Sequence, residues 1–151
     1  MQKLLEQKKV ESPWFSLIVL AIGEMGNNSF DHNIGNWPNV PGIFYAYDLK
    51  KGQVVLADRG RGVLATLRNA RPELATDVEA VRTAFTEYVS GRTPEKRGNG
   101  LKSVRTVVET HPISILFRSG NAQATLRHGE KIQIEETKDT TPGCLIELKY
   151  K

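Results

Sequence analysis

The stretch Val54-Val-Leu-Ala-Asp58-Arg-Gly60-Arg-Gly62 decides how the rest of the chain is read. Its apolar run reads as a buried strand. Asp58 is then a carboxylate at the strand end, and the glycines after it let a ligand approach the backbone. Toward the N-terminus lies Glu24-Met-Gly-Asn-Asn28-Ser-Phe-Asp-His32. Its period of four sets Glu24, Asn28 and His32 in a row on one helical face. An acid, an amide and an imidazole in one row suit a hydrated metal and a phosphate chain. Toward the C-terminus, Gly98-Asn-Gly100-Leu101 opens a predicted helix, where free N–H groups and the positive end of the dipole attract phosphate. A lone Gly-x-Gly is usually a turn, but three such motifs in this order support one another.

Together they resemble the N box (Glu24-x3-Asn28), G1 box (Asp58-x-Gly60-x-Gly62) and G2 box (Gly98-x-Gly100-Leu101) of the GHKL superfamily. This is the ATP-binding domain shared by sensor histidine kinases, anti-sigma-factor serine kinases, DNA gyrase and mismatch-repair ATPases. Pro142-Gly143-Cys144 sits where that family has a Gly-Thr pair opening its last strand. The resemblance runs from about Pro13 to Tyr150. It implies an α+β two-layer sandwich of the Bergerat type, with helices on one face of a mixed, mostly antiparallel sheet. It also implies an ATP lid over residues 63–97, and ATP and Mg²⁺ as ligands.

By this resemblance Asn28 is the metal-binding asparagine, a neutral oxygen ligand for a partly hydrated magnesium ion. Glu24, one turn earlier, is the residue that activates an attacking water or orients water around the metal; its spacing from Asn28 permits either. His32 extends the row toward the phosphates or caps the helix end. Asn27 and Asp31 flank the row as secondary candidates. Asp58 reads the base: a carboxylate accepts a hydrogen bond from the adenine amine, whereas guanine offers a carbonyl that it repels. Gly62 lets the backbone pass the purine ring, while Arg59 and Arg61 face solvent. Gly98 and Gly100 present N–H groups to the β- and γ-phosphates. Lys96 and Arg97 either add charge there or belong to a solvated loop. Cys144 departs from the family's threonine, and a thiol is a weak donor. That alters the water network beside Asp58 and reduces affinity.

At 151 residues the chain is one domain, with residues 1–12 as an N-terminal extension. Charged residues are 25% and hydrophobic ones 39%, ordinary for a globular protein. A net charge of +4 fits an anionic ligand and is too small and scattered to argue for nucleic acid. A single cysteine makes a reducing cytoplasm the default. Trp14-Phe-Ser-Leu-Ile-Val-Leu-Ala-Ile22 mimics a signal peptide but ends at Gly23-Glu24 without a small-x-small site. It is also far short of the ~20 residues that span a bilayer, so a buried helix is expected and no membrane.

Ser12-Pro13 starts that helix, and Phe15, Ile18, Val19, Ile22 and Phe30 form its apolar face to about His32. After a loop from Asn33 to Pro41, Gly42–Leu49 and Gln53–Asp58 read as a hairpin. Val63–Arg71 reads as a short helix. Thr76-Asp-Val-Glu79 is a capping box opening a helix of modest apolar face to Tyr88, with Gly91 as its end. Ser90–Asn99 reads as a mobile loop, and Leu101–His111 as a helix. Ile113–Arg118, Ala122–Arg127, Lys131–Glu135 and Cys144–Tyr150 read as strands punctuated by Gly120, Gly129 and Pro142-Gly143.

The layout is most similar to that of the small anti-sigma-factor serine kinases, which phosphorylate a protein partner. A histidine kinase needs a phosphoacceptor hairpin, and the gyrase class needs a second domain with a lysine; neither reads in this sequence. The partners implied are ATP, a protein regulator or phosphoacceptor, and a second copy in a homodimer. The alternatives are a catalytic fragment of a larger sensor kinase and a nucleotide-sensing module without phosphoryl transfer.

Overall fold

The computed structural model describes residues 15–31, 33, 42–87 and 100–150. Helix α1 (Phe15–Asp31) precedes a hairpin of β1 (Ile43–Asp48) and β2 (Gln53–Asp58). Three helices follow, α2 (Gly62–Leu67), α3 (Asp77–Thr86) and α4 (Gly100–Thr110), then two long strands, β3 (Ile113–Arg127) and β4 (Gln133–Tyr150). The sheet order is β1-β2-β4-β3. The α+β sandwich predicted from the sequence is present. All pairings among the described strands are antiparallel, in line with the mostly antiparallel sheet expected. The expected helix start at Ser12-Pro13, the loop over 34–41, Gly91 and the loop over 90–99 lie outside the described residues.

Burial alternates along the strands, so one face of the sheet carries the helices. Register stacks that face in cross-strand rows. Val54, Leu148 and Ile115 form one row; Leu56, Ile146 and Phe117 form the next; Asp58, Cys144 and Ser119 form the third. Two apolar rows therefore give way to a polar one at the end of β2.

Helix α1 lies on this face through Ile18, Ala21, Ile22 and Met25, all buried. Each such side chain of Ile or Met size contributes about 1.5–3 kcal/mol. Phe30, expected on the buried face, is exposed instead. The helical period runs 18, 22, 25, 29, so Ser29 takes the inward place and Phe30 is turned one step away.

The four short strands expected after residue 113 are two long ones. Gly129 lies in the turn between them, whereas Gly120 forms a bulge inside β3. Around Gly120 the pairing shifts from Ser119↔Cys144 to Ala122↔Glu136. The irregularity flips the parity of β3, so Ala122, Ala124 and Leu126 face the helices just as Ile113, Ile115 and Phe117 do. Gly120 has φ of 59°, a conformation that favours glycine. The bulge is also where α3 docks: the Asn121 N–H donates to Asp77 Oδ2 at 3.0 Å.

The capping box of α3 is formed as predicted. The Glu79 N–H donates to Thr76 Oγ1 at 3.1 Å, and the Thr76 N–H donates to Glu79 Oε2 at 3.1 Å. The helix stops at Thr86 because Glu87 is already extended. Its apolar face is more than modest: Ala80, Val81, Thr83 and Phe85 are buried, and Phe85 meets Phe117 edge-to-face at 5.3 Å between ring centres. Helix α4 buries Val104, Val107 and Val108, with Leu101 packed at the core's margin.

A methyl at Gly120 would lie 2.0 Å from Asp77 Oδ2. Gly120→Ala should therefore destabilise the fold by about 1–3 kcal/mol, through positive-φ strain and displacement of Asp77. Urea unfolding of the variant against wild type measures this. An Asp77→Ala background should reduce the cost, because the clash is then absent.

Candidate functional site

The polar row at the end of β2 is the centre of the site. Asp58 is buried, 6% exposed, with Cys144 and Ser119 beside it on the same face. Its Oδ1 accepts the Gly60 N–H at 2.8 Å and Asn33 Nδ2 at 3.2 Å. Burial pushes the Asp58 carboxyl above its ordinary range. The Gly60 N–H, the Ser29 and Asn33 side chains and the Cys144 N–H pull the other way.

Asn33 joins three segments. Its Nδ2 also donates to the Ser29 carbonyl at 2.8 Å, and its Oδ1 accepts the Arg61 N–H at 2.9 Å. Gly60 lies directly against it, since a methyl there would fall 1.9 Å from Asn33 Oδ1. On the other side of the row, Ser119 Oγ donates to the Gly143 carbonyl at 2.8 Å and accepts the Val63 N–H at 2.9 Å. The start of α2 is thereby tied to β3 and β4. Burial, with the Asp58 charge adding to it, pushes the Cys144 thiol up to about 12. The thiol therefore stays protonated and chemically quiet.

A second group lies along α1. Glu24 and Asn28 are half-buried, one turn apart, and Gly100 at the start of α4 sits against both. A methyl on Gly100 would be 2.6 Å from Glu24 Oε2 and 3.6 Å from Asn28 Nδ2. A side chain at this position would push the Glu24 carboxylate away. The two groups share α1: Asn28 faces Gly100, while the adjacent Ser29 lies under Asp58.

Of the residues singled out from the sequence, Glu24, Asn28 and Gly100 are thus brought together, as are Asp58, Gly60 and Cys144. Gly62 begins α2, close to Ser119 and the Gly143 carbonyl. Leu101 packs on the core. Asn27 and Asp31 are exposed, as are Arg59 and Arg61. His32, Lys96, Arg97 and Gly98 lie outside the described residues. Sequence reasoning missed Ser29, Asn33 and Ser119. The available signal was the inward row of α1, which turns polar at Ser29 and, one turn on, at Asn33.

A separate groove of about 460 Å³ lies between α3 and the β3–β4 pair, lined by Leu64, Thr76, Asp77, Asn121 and Glu136 among others. It shares no residue with the Asp58 site. Among the described residues no three His, Cys, Asp or Glu side chains gather as a metal cluster, and no helix is long and apolar enough to cross a membrane.

No protein-family model matches the chain, and no curated protein does. Solved structures do. The ATPase region of Saccharomyces cerevisiae topoisomerase II superposes with a TM-score of 0.53 at 11% identity, over 85% of this chain and 36% of that one. The same region bound to ICRF-187 (dexrazoxane) gives 0.52 at 11% identity, over 87% and 37%. The chain thus spans little more than a third of these neighbours. The likeness shows a shared fold, an α+β sandwich like that of the topoisomerase II ATPase region.

The raised Asp58 pKa has a definite consequence for stability. The folded chain holds this proton more tightly than the unfolded chain. Its stabilising contribution is full below the ordinary value of 3.8 and falls as pH rises through the window up to the raised value. Asp58→Asn should remove that decline, because the amide does not titrate. Urea titrations across the acid range measure the slope; an unchanged slope would place Asp58 in water.

Proposed function

We propose that this chain binds Mg²⁺-ATP between α1, α4 and the Asp58 end of the sheet, and acts as a regulatory kinase on a small protein partner. The observation that carries the reading is convergence. Three motifs far apart in sequence meet in two adjoining groups on one helix, with Glu24 and Asn28 against Gly100 and Asp58 over Ser29. The likeness to a region described as an ATPase supports it.

The residues fit the ligand. Asp58 is a buried acceptor for the adenine amine, and its protein donors on Oδ1 hold it in place. Asn28 supplies a neutral oxygen suited to magnesium, which keeps most of its waters. The start of α4 at Gly100 offers N–H groups and the positive end of the helix dipole to a phosphate. Glu24, beside Asn28, accepts a proton from the incoming nucleophile or orders water at the metal. Bound nucleotide supplies the transferable phosphoryl group. The partner protein, a homodimer and a cytoplasmic setting belong to this reading. So does a lid drawn from residues 63–97, although α3 within that segment is anchored by Phe85. One feature favours a second reading, a nucleotide-sensing module without transfer. Cys144 puts a protonated thiol where the resembled family has threonine, which weakens the water-mediated hold on the base.

Calorimetry tests the site. ATP should bind in preference to GTP, and Asn28→Ala should weaken Mg²⁺-ATP by roughly fivefold or more while sparing metal-free nucleotide, as for a lost polar contact of about 1–3 kcal/mol. Equal affinity for GTP would remove the base-reading role of Asp58. Incubation with γ-labelled ATP, with and without the protein encoded by the neighbouring gene, separates the readings: magnesium-dependent label on that protein supports the kinase, and binding without transfer supports the module.

A further inference from the structure

We propose that Asn33 is a positioning residue that sets base specificity through Asp58; this rests on the adenine-nucleotide reading above. The side-chain amide has two donors and one carbonyl acceptor, and Asn33 uses all three groups. Both N–H groups are taken, by the Ser29 carbonyl at 2.8 Å and by Asp58 Oδ1 at 3.2 Å, while its oxygen takes the Arg61 N–H at 2.9 Å. The amide has a single workable orientation. Turning it over sets oxygen against the Ser29 carbonyl and Asp58 Oδ1, and NH₂ against the Arg61 N–H. Asn33 is 3% exposed, so water offers no alternative partners.

That fixed amide does two things to the base site. With the Gly60 N–H at 2.8 Å it occupies Asp58 Oδ1, which fixes the plane of the carboxylate that meets the base. Through Arg61 it also sets the path of the backbone from Gly60 to Gly62, which is packed onto the amide. The 6-amino group is therefore read by Asp58 in an orientation that Asn33 imposes. Asn33 needs no contact with nucleotide to do this.

The test compares ADP with purine riboside 5′-diphosphate, which lacks the 6-amino group. Wild type should prefer ADP by about tenfold or more, as for a hydrogen bond to a charged group. In Asn33→Ala the preference should fall to about threefold or less, mainly through weaker ADP binding. A purely structural role would weaken both ligands by the same factor. A variant that keeps the wild-type preference overturns the proposal and leaves the nucleotide site standing. Wild type that binds neither ligand overturns the site and the proposal together. Should Asn33→Ala not fold, the side-chain amide resonance of Asn33 in wild type decides. A shift with ADP and not with purine riboside diphosphate supports the role, and the same response to both overturns it.

Discussion

The structure turns on one buried carboxylate. Asp58 stands in the third cross-strand row, directly after two rows of Val, Leu, Ile and Phe. A carboxylate in such a place is costly unless donors surround it, and the neighbouring elements supply them. Helix α1 abandons its apolar inward row at Ser29, Asn33 follows it, and the loop after β2 folds back so that the Gly60 N–H reaches Oδ1. β4 brings the Cys144 N–H from the far side. These features follow from one requirement, because an orphaned Asp58 would cost more than any single apolar contact in the core gains.

Much of this was legible in the sequence, and the exceptions have physical causes. The hairpin of β1 and β2, the capping box at Thr76 and Glu79 and the helix after Gly98-x-Gly100 are governed by local chemistry, and each was found. The long strands β3 and β4 were cut into four because Gly120 and Pro142-Gly143 look like breaks. Whether a glycine ends a strand or bulges inside it depends on the partner strand, and here Asp77 from α3 rewards the bulge with a hydrogen bond. Asn33 read as loop because an asparagine after a helix usually is. Its role exists only once Asp58 and Arg61, distant in sequence, are folded against it. Phe30 failed for a simpler reason: its size suggested burial, but the phase of the helix set it outside.

Helix α3 shows how the same tertiary context constrains motion. Its first turn is held by the reciprocal cap and by Asp77 on the bulge, its last by Phe85 against Phe117. Elements with this much buried contact open only with the global fold. The start of α2, tied through Val63 to Ser119, is bound to the sheet in the same way.

At 11% identity the likeness to topoisomerase II carries the fold and not the chemistry. The chemistry has to be argued from this chain's own atoms, and two side chains near Asp58 belong together. Cys144 replaces a hydroxyl by a thiol, which burial keeps protonated and which donates weakly. That loss falls on the β4 side of Asp58. On the opposite side, Asn33 contributes an amide donor, stronger than a thiol and locked by its other partners. Asp58 is thus held from the end of the first helix as well as from β4. That makes α1 an element through which both groups of the site are held, Asn28 against Gly100 and Ser29 and Asn33 under Asp58.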